Sequence, residues 1–421
     1  MLPQLRKIEE LYPDDVVVIG VHSGKYIAER DTARILEASL RYELTHPIVN
    51  DRQFRIWRSY AVRAWPTLVV IDRNGYAVGA HAGEFTSQMI APLLTTLVGM
   101  SPGDARHEIR HSSADPPQIP PGFLRYPGKV AVSGARIAIA DTGNHRVLVG
   151  TLETERRMRV NSAVTAWTSG TDMAFLAPQG LAFDDNTLYV TDAANHTVTA
   201  TDVASGNTTV VAGTGAQMRT RADREAGALS SPWDVVVVGG RLYVAMAGIH
   251  QIWSIDIDTH VARVHCGAGG EDLADGSLLS ALLAQPMGIA SDGGRLYFAD
   301  SESSAVRWSD VPTDGNVGTI IGTGLFDFGD VDGAGNKVRM QHPQGVALRP
   351  TGDLMVADSY NNAIKLVNIE TREARTWLRG LHEPGGIAAA DGAAYVADTN
   401  AHRIMVADYA SGGFSELEII S

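Results

Sequence analysis

Hydrophobic positions follow two different rules along this chain, and the change comes near residue 100. Before it, helical and strand periods alternate. Leu5, Ile8 and Leu11 share one face of a short helix that ends before Pro13. Residues 16–21 are an unbroken apolar run, which predicts a strand buried on both faces. Residues 28–44 read as a helix with Ile35, Leu36, Leu40 and Leu44 as its stripe. Residues 67–71 read as a second buried strand, and Asp72-Arg73-Asn74-Gly75 as a hairpin turn leading to an edge strand at 76–81. Residues 86–99 close the region as a helix with Met89, Ile90, Leu93, Leu94 and Leu97 inward. The expected order is a lone helix followed by β-α-β-β-α.

Residues 101–122 read as a linker, because Asp115-Pro116-Pro117-Gln118-Ile119-Pro120-Pro121 is too rich in proline for helix or sheet. From residue 123 an internal repeat takes over. Each unit opens on a Pro-x-Gly-like corner, at Pro127, Pro178, Pro232, Pro286, Pro343 and Pro384. A strand follows, then a second strand ending near Ala-Asp, a short polar turn, and a third strand opening on Val or Ile. Fourth strands such as Val210-Val211-Ala212-Gly213 end in glycine. Four short strands repeated six times predict a six-bladed β-propeller over 123–421, since a lone blade cannot bury both faces of its sheet. Residues 414–420 are either the outer strand of the last blade or the piece that closes the ring.

The repeat also places its polar residues in register. Asp141, Asp192, Asp300, Asp358 and Asp398 end the second strand, where a carboxylate can accept backbone N–H bonds and fix the turn. Met246 takes this place in the third unit. His145, His196, His250 and His402 stand four residues further on, a position that registry explains without a metal. The acidic loops at Glu271, Asp272 and Asp275, and at Asp327, Asp330 and Asp332, lack the order and closing glutamate of a calcium loop and read as solvated. Cys266 aligns with Ala212 and Ile321, a small buried position. His22 and His46 read as capping or core residues.

Composition narrows the chemistry. The chain has 421 residues and a formal charge of −13, which disfavours a phosphate backbone as partner. One cysteine excludes an internal disulfide, a Cys-x-x-Cys pair and a cysteine zinc cage within these residues. There is no membrane-length apolar run, and residues 1–7 do not read as a secretory signal, so a cytoplasmic protein is expected. The scarcity of lysine beside abundant alanine points to a bacterial source. No catalytic, cofactor-binding or metal-ligating residue is expected.

The repeats resemble NHL repeats, most directly in Ala140-Asp141-Thr142-Gly143-Asn144-His145-Arg146-Val147 and its echo Ala397-Asp398-Thr399-Asn400-Ala401-His402-Arg403-Ile404. The front region resembles a thioredoxin-like domain through Trp65-Pro66-Thr67 and the hairpin at Asn74-Gly75, and the resemblance implies that Pro66 is cis. Together with Gly20-Val21-His22-Ser23 and Thr45-His46-Pro47-Ile48-Val49-Asn50-Asp51, the pairing resembles the NHL repeat-containing protein 2 family. That resemblance implies a Cys-x-x-Cys segment upstream of residue 1, on a strand between the two buried strands. Its absence leads us to expect a late start, one open edge on each of those strands, and a front unit less stable than the propeller. The family's C-terminal β domain is not expected here. The leading expectation is a non-catalytic interaction or scaffold protein with a protein or small molecule on a propeller face, and no nucleic acid or membrane. The alternatives are a thiol-disulfide oxidoreductase whose redox segment lies upstream, and, from the NHL-like lyases, a metal-dependent lyase or hydrolase.

Overall fold

In this computed structural model, residues 2–99, 122–165 and 174–420 are described. Of the expected linker, only Gly122 falls among them. Contacts divide the chain into two units, Met1–Pro121 and Gly122–Ser421.

The first unit runs α1 (Leu2–Leu11), β1 (Gly20–His22), α2 (Thr32–Arg41), β2 (Ile48–Asn50), α3 (Arg55–Ser59), β3 (Thr67–Ile71), β4 (Ala77–Ala82) and α4 (Ser87–Gly99). β1 pairs with β2 in parallel, and β3 with β4 as an antiparallel hairpin. The two pairs are separate sheets, so β1 and β3 each keep one edge without a ladder partner among the described residues. Leu5 and Ile8 of α1, Val70 of β3, Phe85, and Ile90 and Leu94 of α4 form its core, with Val16 and Val18 packed on it.

Several expectations need correction. The run 16–21 joins a ladder only from Gly20, because β2 pairs with three residues. It is not buried on both faces: Val17, Ile19 and Val21 are exposed. The helix expected over 28–44 is a single turn at Ala28–Arg30 followed by α2, because Asp31 caps a fresh start by accepting the Ala33 N–H at 2.7 Å. Leu11, Leu36 and Met89 are exposed, so each helix buries a narrower stripe than its periodicity suggested. β2 and α3 were not foreseen.

The second unit is a six-bladed propeller, with blades at residues 129–164, 178–212, 232–266, 286–321, 345–379 and 384–416. Alternation along each strand gives both faces of every sheet an apolar set, and neighbouring blades bury them against each other. Six separate cores result. One joins Val130, Ile137 and Ile139 of blade 1 to Tyr395, Val406 and Ile404 of blade 6, which closes the ring. Closure is also made by the chain end. Phe414–Glu416 is the outer strand of blade 6, and Glu418–Ile420 then pairs in parallel with the outer strand of blade 1, with Arg157 bidentate on Glu418 at 2.8 and 3.0 Å. The two roles foreseen for this segment are therefore both filled, by consecutive residues.

Candidate functional site: the blade corners and the axial mouth

Each of the five repeated aspartates is fully buried, and each accepts the N–H of the residue two places before a proline corner. Asp141 takes Arg125 at 2.7 Å, Asp192 takes Leu176 at 2.9 Å, Asp300 takes Ala284 at 2.8 Å and Asp358 takes Gln341 at 2.7 Å; Asp398 takes His382. At Asp141, Asp300, Asp358 and Asp398 the second carboxylate oxygen is met by a side chain from the following turn or strand, Asn144 and Arg146, Arg307, Asn361, and Arg403 in turn; at Asp192 the Asn195 side chain shares the oxygen that takes Leu176, and the second oxygen accepts the Ala177 and Asn195 N–H groups. Burial pushes the Asp358 carboxyl up to about 7, against the pull of Asn361, the Gln341 amide and Lys365.

The histidine position links one blade to the next. His196 Nδ1 accepts the Ser231 N–H at 3.0 Å, His250 Nδ1 the Gln285 N–H at 3.1 Å, and His402 Nδ1 the Tyr126 N–H at 3.1 Å. Ser304 and Asn362 do the same for His342 and Glu383, so the position calls for a side-chain acceptor. His145 differs, its Nδ1 facing the Leu176 carbonyl. The backbone at all six positions is left-handed, with φ between 51° and 57°. Burial, and then the charge of Arg219, lowers His196 to about 4, which keeps its Nδ1 free of a proton to accept.

Hydroxyls add a further link. Thr142, Ser301, Ser359 and Thr399 each donate to the carbonyl of the next blade's corner proline, Thr399 reaching Pro127 at 2.9 Å across the ring closure. Blades 2 and 3 carry Ala193 and Ala247 instead. There Thr191 donates to the Trp233 carbonyl at 2.9 Å, and Asp234 accepts the Ile289 N–H at 3.1 Å.

Asp234 belongs to a cluster that the sequence analysis missed. At the third corner position four blades have glycine, and a Cβ on Gly345 would lie 2.2 Å from the Gly385 carbonyl oxygen. Blades 1 and 3 have Lys129 and Asp234, whose side chains meet across the axis in a buried, bidentate ion pair. Burial pushes the Asp234 carboxyl up, and Lys129 with the Ile289 and Val235 amides pulls it back. Above the pair lies a small cavity of about 20 Å³ bordered by Trp233, Gln179 and Gln344, room for one or two waters.

The acidic loops are not simply solvated. Asp330 and Asp332 hold the fully buried Lys365 ammonium at 2.8 and 2.6 Å, and Asp275 holds the fully buried Arg307 at 3.0 Å. Burial works against the Lys365 charge, and the two carboxylates more than offset it, so its pKa is raised. These loops are clamped by the protein's own cations. Among the described residues no group of three or more His, Cys, Asp or Glu could hold a metal. Cys266 is fully buried, and burial pushes its thiol up to about 12.

In the first unit the Trp65–Pro66 peptide is cis. The Trp65 indole N–H donates to the Ser23 carbonyl at 2.7 Å and its ring packs on Trp57, with centroids 4.4 Å apart. His46 bonds Glu9 through Nδ1 at 3.2 Å, and burial lowers His22, whose other contact is the Glu29 backbone. No helix among the described residues is long and apolar enough to cross a membrane.

No family model matches the chain. Over all of its own length it is 35% identical to NHL repeat-containing protein 2 of Gallus gallus, and it spans 66% of that relative's length. A shorter likeness, 30% identity over 90 residues, 21% of this chain and 48% of the relative, is to the thiol-disulfide oxidoreductase ResA of Halalkalibacterium halodurans. Among solved structures, an auxiliary nutrient binding protein from Bacteroides thetaiotaomicron shares the fold with a TM-score of 0.50, at 13% identity over 70% of each chain. Identity sustained along the whole chain, on six blades built from one repeated corner, places it: the chain belongs to the NHL repeat-containing protein 2 family.

Proposed function

We propose that this chain is a non-catalytic interaction protein: an NHL propeller that presents a binding face, joined to a thioredoxin-like unit with no cysteine among residues 1–121 and so no dithiol chemistry there. The observation that carries the reading is Cys266. It is the one cysteine in the sequence, it is fully buried, and its thiol sits near 12. Disulfide exchange needs an accessible thiolate and a resolving partner. The thioredoxin-like assignment draws support from the partial likeness to an oxidoreductase and from the β3–β4 hairpin that follows cis-Pro66. The partner is a protein or a small molecule on a propeller face. A net charge of −13 argues against nucleic acid, and we propose a cytoplasmic setting. The test is reduction of insulin by the purified chain with dithiothreitol: a rate equal to the reductant-only control is expected, and a faster one refutes the reading.

A second reading is favoured by the open edges of β1 and β3 and by the exposed apolar residues Val17, Ile19, Val21 and Ile71. These suit a chain in which a further strand, bearing Cys-x-x-Cys, pairs between them and makes the protein a thiol-disulfide oxidoreductase. An in-frame Cys-x-x-Cys in the DNA upstream of residue 1, with insulin reduction by the longer product, would establish it. The metal-dependent lyase reading is not favoured, because His196, His250 and His402 each commit Nδ1 to a backbone amide at a blade junction.

A further inference from the structure

The segment between β2 and β3 has a composition found nowhere else in this acidic chain. Over residues 52–65, Arg52, Arg55, Arg58 and Arg63 alternate with Phe54, Trp57, Tyr60 and Trp65, and there is no aspartate or glutamate. Local structure sorts the two sets. Asp51, just before them, is buried and accepts the N–H groups of Arg55, Ile56 and Trp57 at 2.7, 3.1 and 2.9 Å, which starts α3. Its charge is spent on those amides. The half-buried Trp57 ring packs on Trp65, and Phe54 stands edge-on to both, with centroids 5.7 and 6.3 Å away. The four arginines face solvent, and so do Tyr60 and Trp65, which are 45% and 47% exposed. Half-buried Arg30 adds a further guanidinium 5.5 Å from the Phe54 ring.

The fold does not use these arginines. Exposed arginines of the propeller meet carboxylates, as Arg159 meets Glu153, Arg221 meets Glu225 and Arg379 meets Asp330. Among the described residues, none of Arg52, Arg55, Arg58 and Arg63 has a carboxylate within ion-pair distance. Only Arg58 makes a side-chain hydrogen bond, to the Gln53 carbonyl at 2.8 Å. Four like charges therefore stand together uncompensated, beside two exposed aromatic rings.

The chemistry of the partner follows from both sets. A nucleic acid strand extends past so short a patch and meets a chain whose total charge is −13. A small inorganic anion satisfies the guanidinium groups and leaves Tyr60 and Trp65 in water. Arginine, tryptophan and tyrosine without lysine are the residues that concentrate binding energy between proteins. We infer that the arginine–aromatic face of residues 52–65 docks an acidic protein segment, whose carboxylates pair with the four arginines and whose apolar side chains cover Tyr60 and Trp65. This surface lies in the first unit and does not depend on the reading of the propeller face. The contact is small and exposed, so its affinity is about 10 µM at low ionic strength and weakens at least about tenfold in 0.5 M salt.

The experiment uses the full chain and the fluorescence anisotropy of a labelled peptide made of three copies of Glu-Asp-Phe-Glu. The same peptide with Gln and Asn in place of the acids, the same peptide with Ala in place of Phe, and labelled oligothymidylate serve as comparisons. The acidic peptide is expected to bind, the neutral one not to bind, and the peptide without Phe to bind several-fold more weakly. The double variant Arg55→Glu with Arg63→Glu is expected to weaken binding at least about tenfold. Arg221→Glu with Arg263→Glu changes the net charge equally at exposed propeller positions and is expected to leave binding within about twofold. Circular dichroism and the melting temperature show that both variants are folded, and Arg52→Ala is the milder second probe if the first is not. The proposal is overturned if the acidic peptide does not bind, if the two double variants weaken it equally, or if the peptide without Phe binds as well as its parent. Tighter binding of oligothymidylate, lost in Arg55→Glu with Arg63→Glu, overturns it in favour of a nucleic acid. None of these results bears on a partner held by the propeller face, so that reading stands or falls separately.

Discussion

His196 offers a direct test of how neighbouring blades are joined. Its Nδ1 accepts the Ser231 N–H at the junction of blades 2 and 3, and burial takes its pKa from 6.5 to about 4. Between those values the unfolded chain binds a proton that the folded chain refuses. Stability is therefore complete above pH 6.5 and is lost as the pH falls toward 4. At pH 5 the loss from this residue alone is about 2 kcal/mol, approaching about 3 kcal/mol once both states are protonated. Other groups also titrate over this range, so the measurement needs a reference that keeps the bond without the proton. The repeat supplies one: Asn362 accepts the Glu383 N–H at the equivalent position of blade 5, with φ of 56° against 54° at His196. Asparagine tolerates that left-handed backbone. His196→Asn is expected to match the unaltered chain at pH 7.5 within about 0.5 kcal/mol and to lose about 2 kcal/mol less on moving to pH 5. Urea titrations at the two pH values, following the propeller transition by near-ultraviolet circular dichroism, read this difference. Equal losses in the two proteins would show that His196 does not titrate against folding and that the junction is held by something else.

Three further outcomes are expected. Asp300→Ala leaves the fully buried Arg307 guanidinium without its buried partner at 3.0 Å and the Ala284 N–H without an acceptor, which costs about 3–5 kcal/mol; a loss below about 1 kcal/mol in the same urea assay would contradict the role given to the aspartates. Cys266, with a thiol near 12, is expected to resist Ellman's reagent at pH 8 in buffer and to react promptly in urea, and rapid labelling of the folded chain would refute its burial. Amides along β1 and β3 are expected to exchange with deuterium orders of magnitude faster than those of the inner blade strands, because each strand has one edge without a partner among the described residues. Mass-spectrometric exchange showing equal protection in the two units would be inconsistent with open edges.

What could be read from the sequence was what repeats within it. The six blades and the buried aspartates follow from a unit that recurs six times, where each copy checks the others. The linking role of the histidine position was also present in the letters. His196, His250, Ser304, Asn362 and His402 share a side-chain acceptor and little else, and comparing the units for common chemistry would have exposed it; His145, which faces a carbonyl, is the departure. Lys129 and Asp234 were signalled in the same way, as two departures from glycine at the third corner position. The buried cations Arg307 and Lys365 stand at equivalent places in their blades, each following an acidic loop, Asp275 and Asp332. Those loops read as solvated because an acidic residue in a loop gives no local sign of a partner more than thirty positions away. The first unit has no internal copies. There the unbroken run at 16–21 was read by its hydrophobicity, while its conformation depends on how many residues of ladder a neighbour supplies, and β2 supplies three.

The departures from the repeat fall together, and this bears on how the ring is built. The hydroxyl that ties one blade to the next corner is missing at two consecutive junctions, where Ala193 and Ala247 stand. Asp234 lies between those junctions. It reaches forward to the Ile289 amide of blade 4 and back across the axis to Lys129 of blade 1, passing over Gly180, where a Cβ would come within 2.6 Å of its carboxylate oxygen. One side chain thus spans the stretch of ring that lacks the regular tie. Its position also closes the channel and sets Trp233, its neighbour in sequence, at the mouth. A buried ion pair is a poor source of stability compared with an apolar contact of equal volume, but breaking one by removing a single partner is costly. Once Lys129 and Asp234 were both in place, neither could be lost alone. The asymmetry that distinguishes this mouth from a ring of six equivalent corners is therefore held by the same pair that joins the blades beneath it.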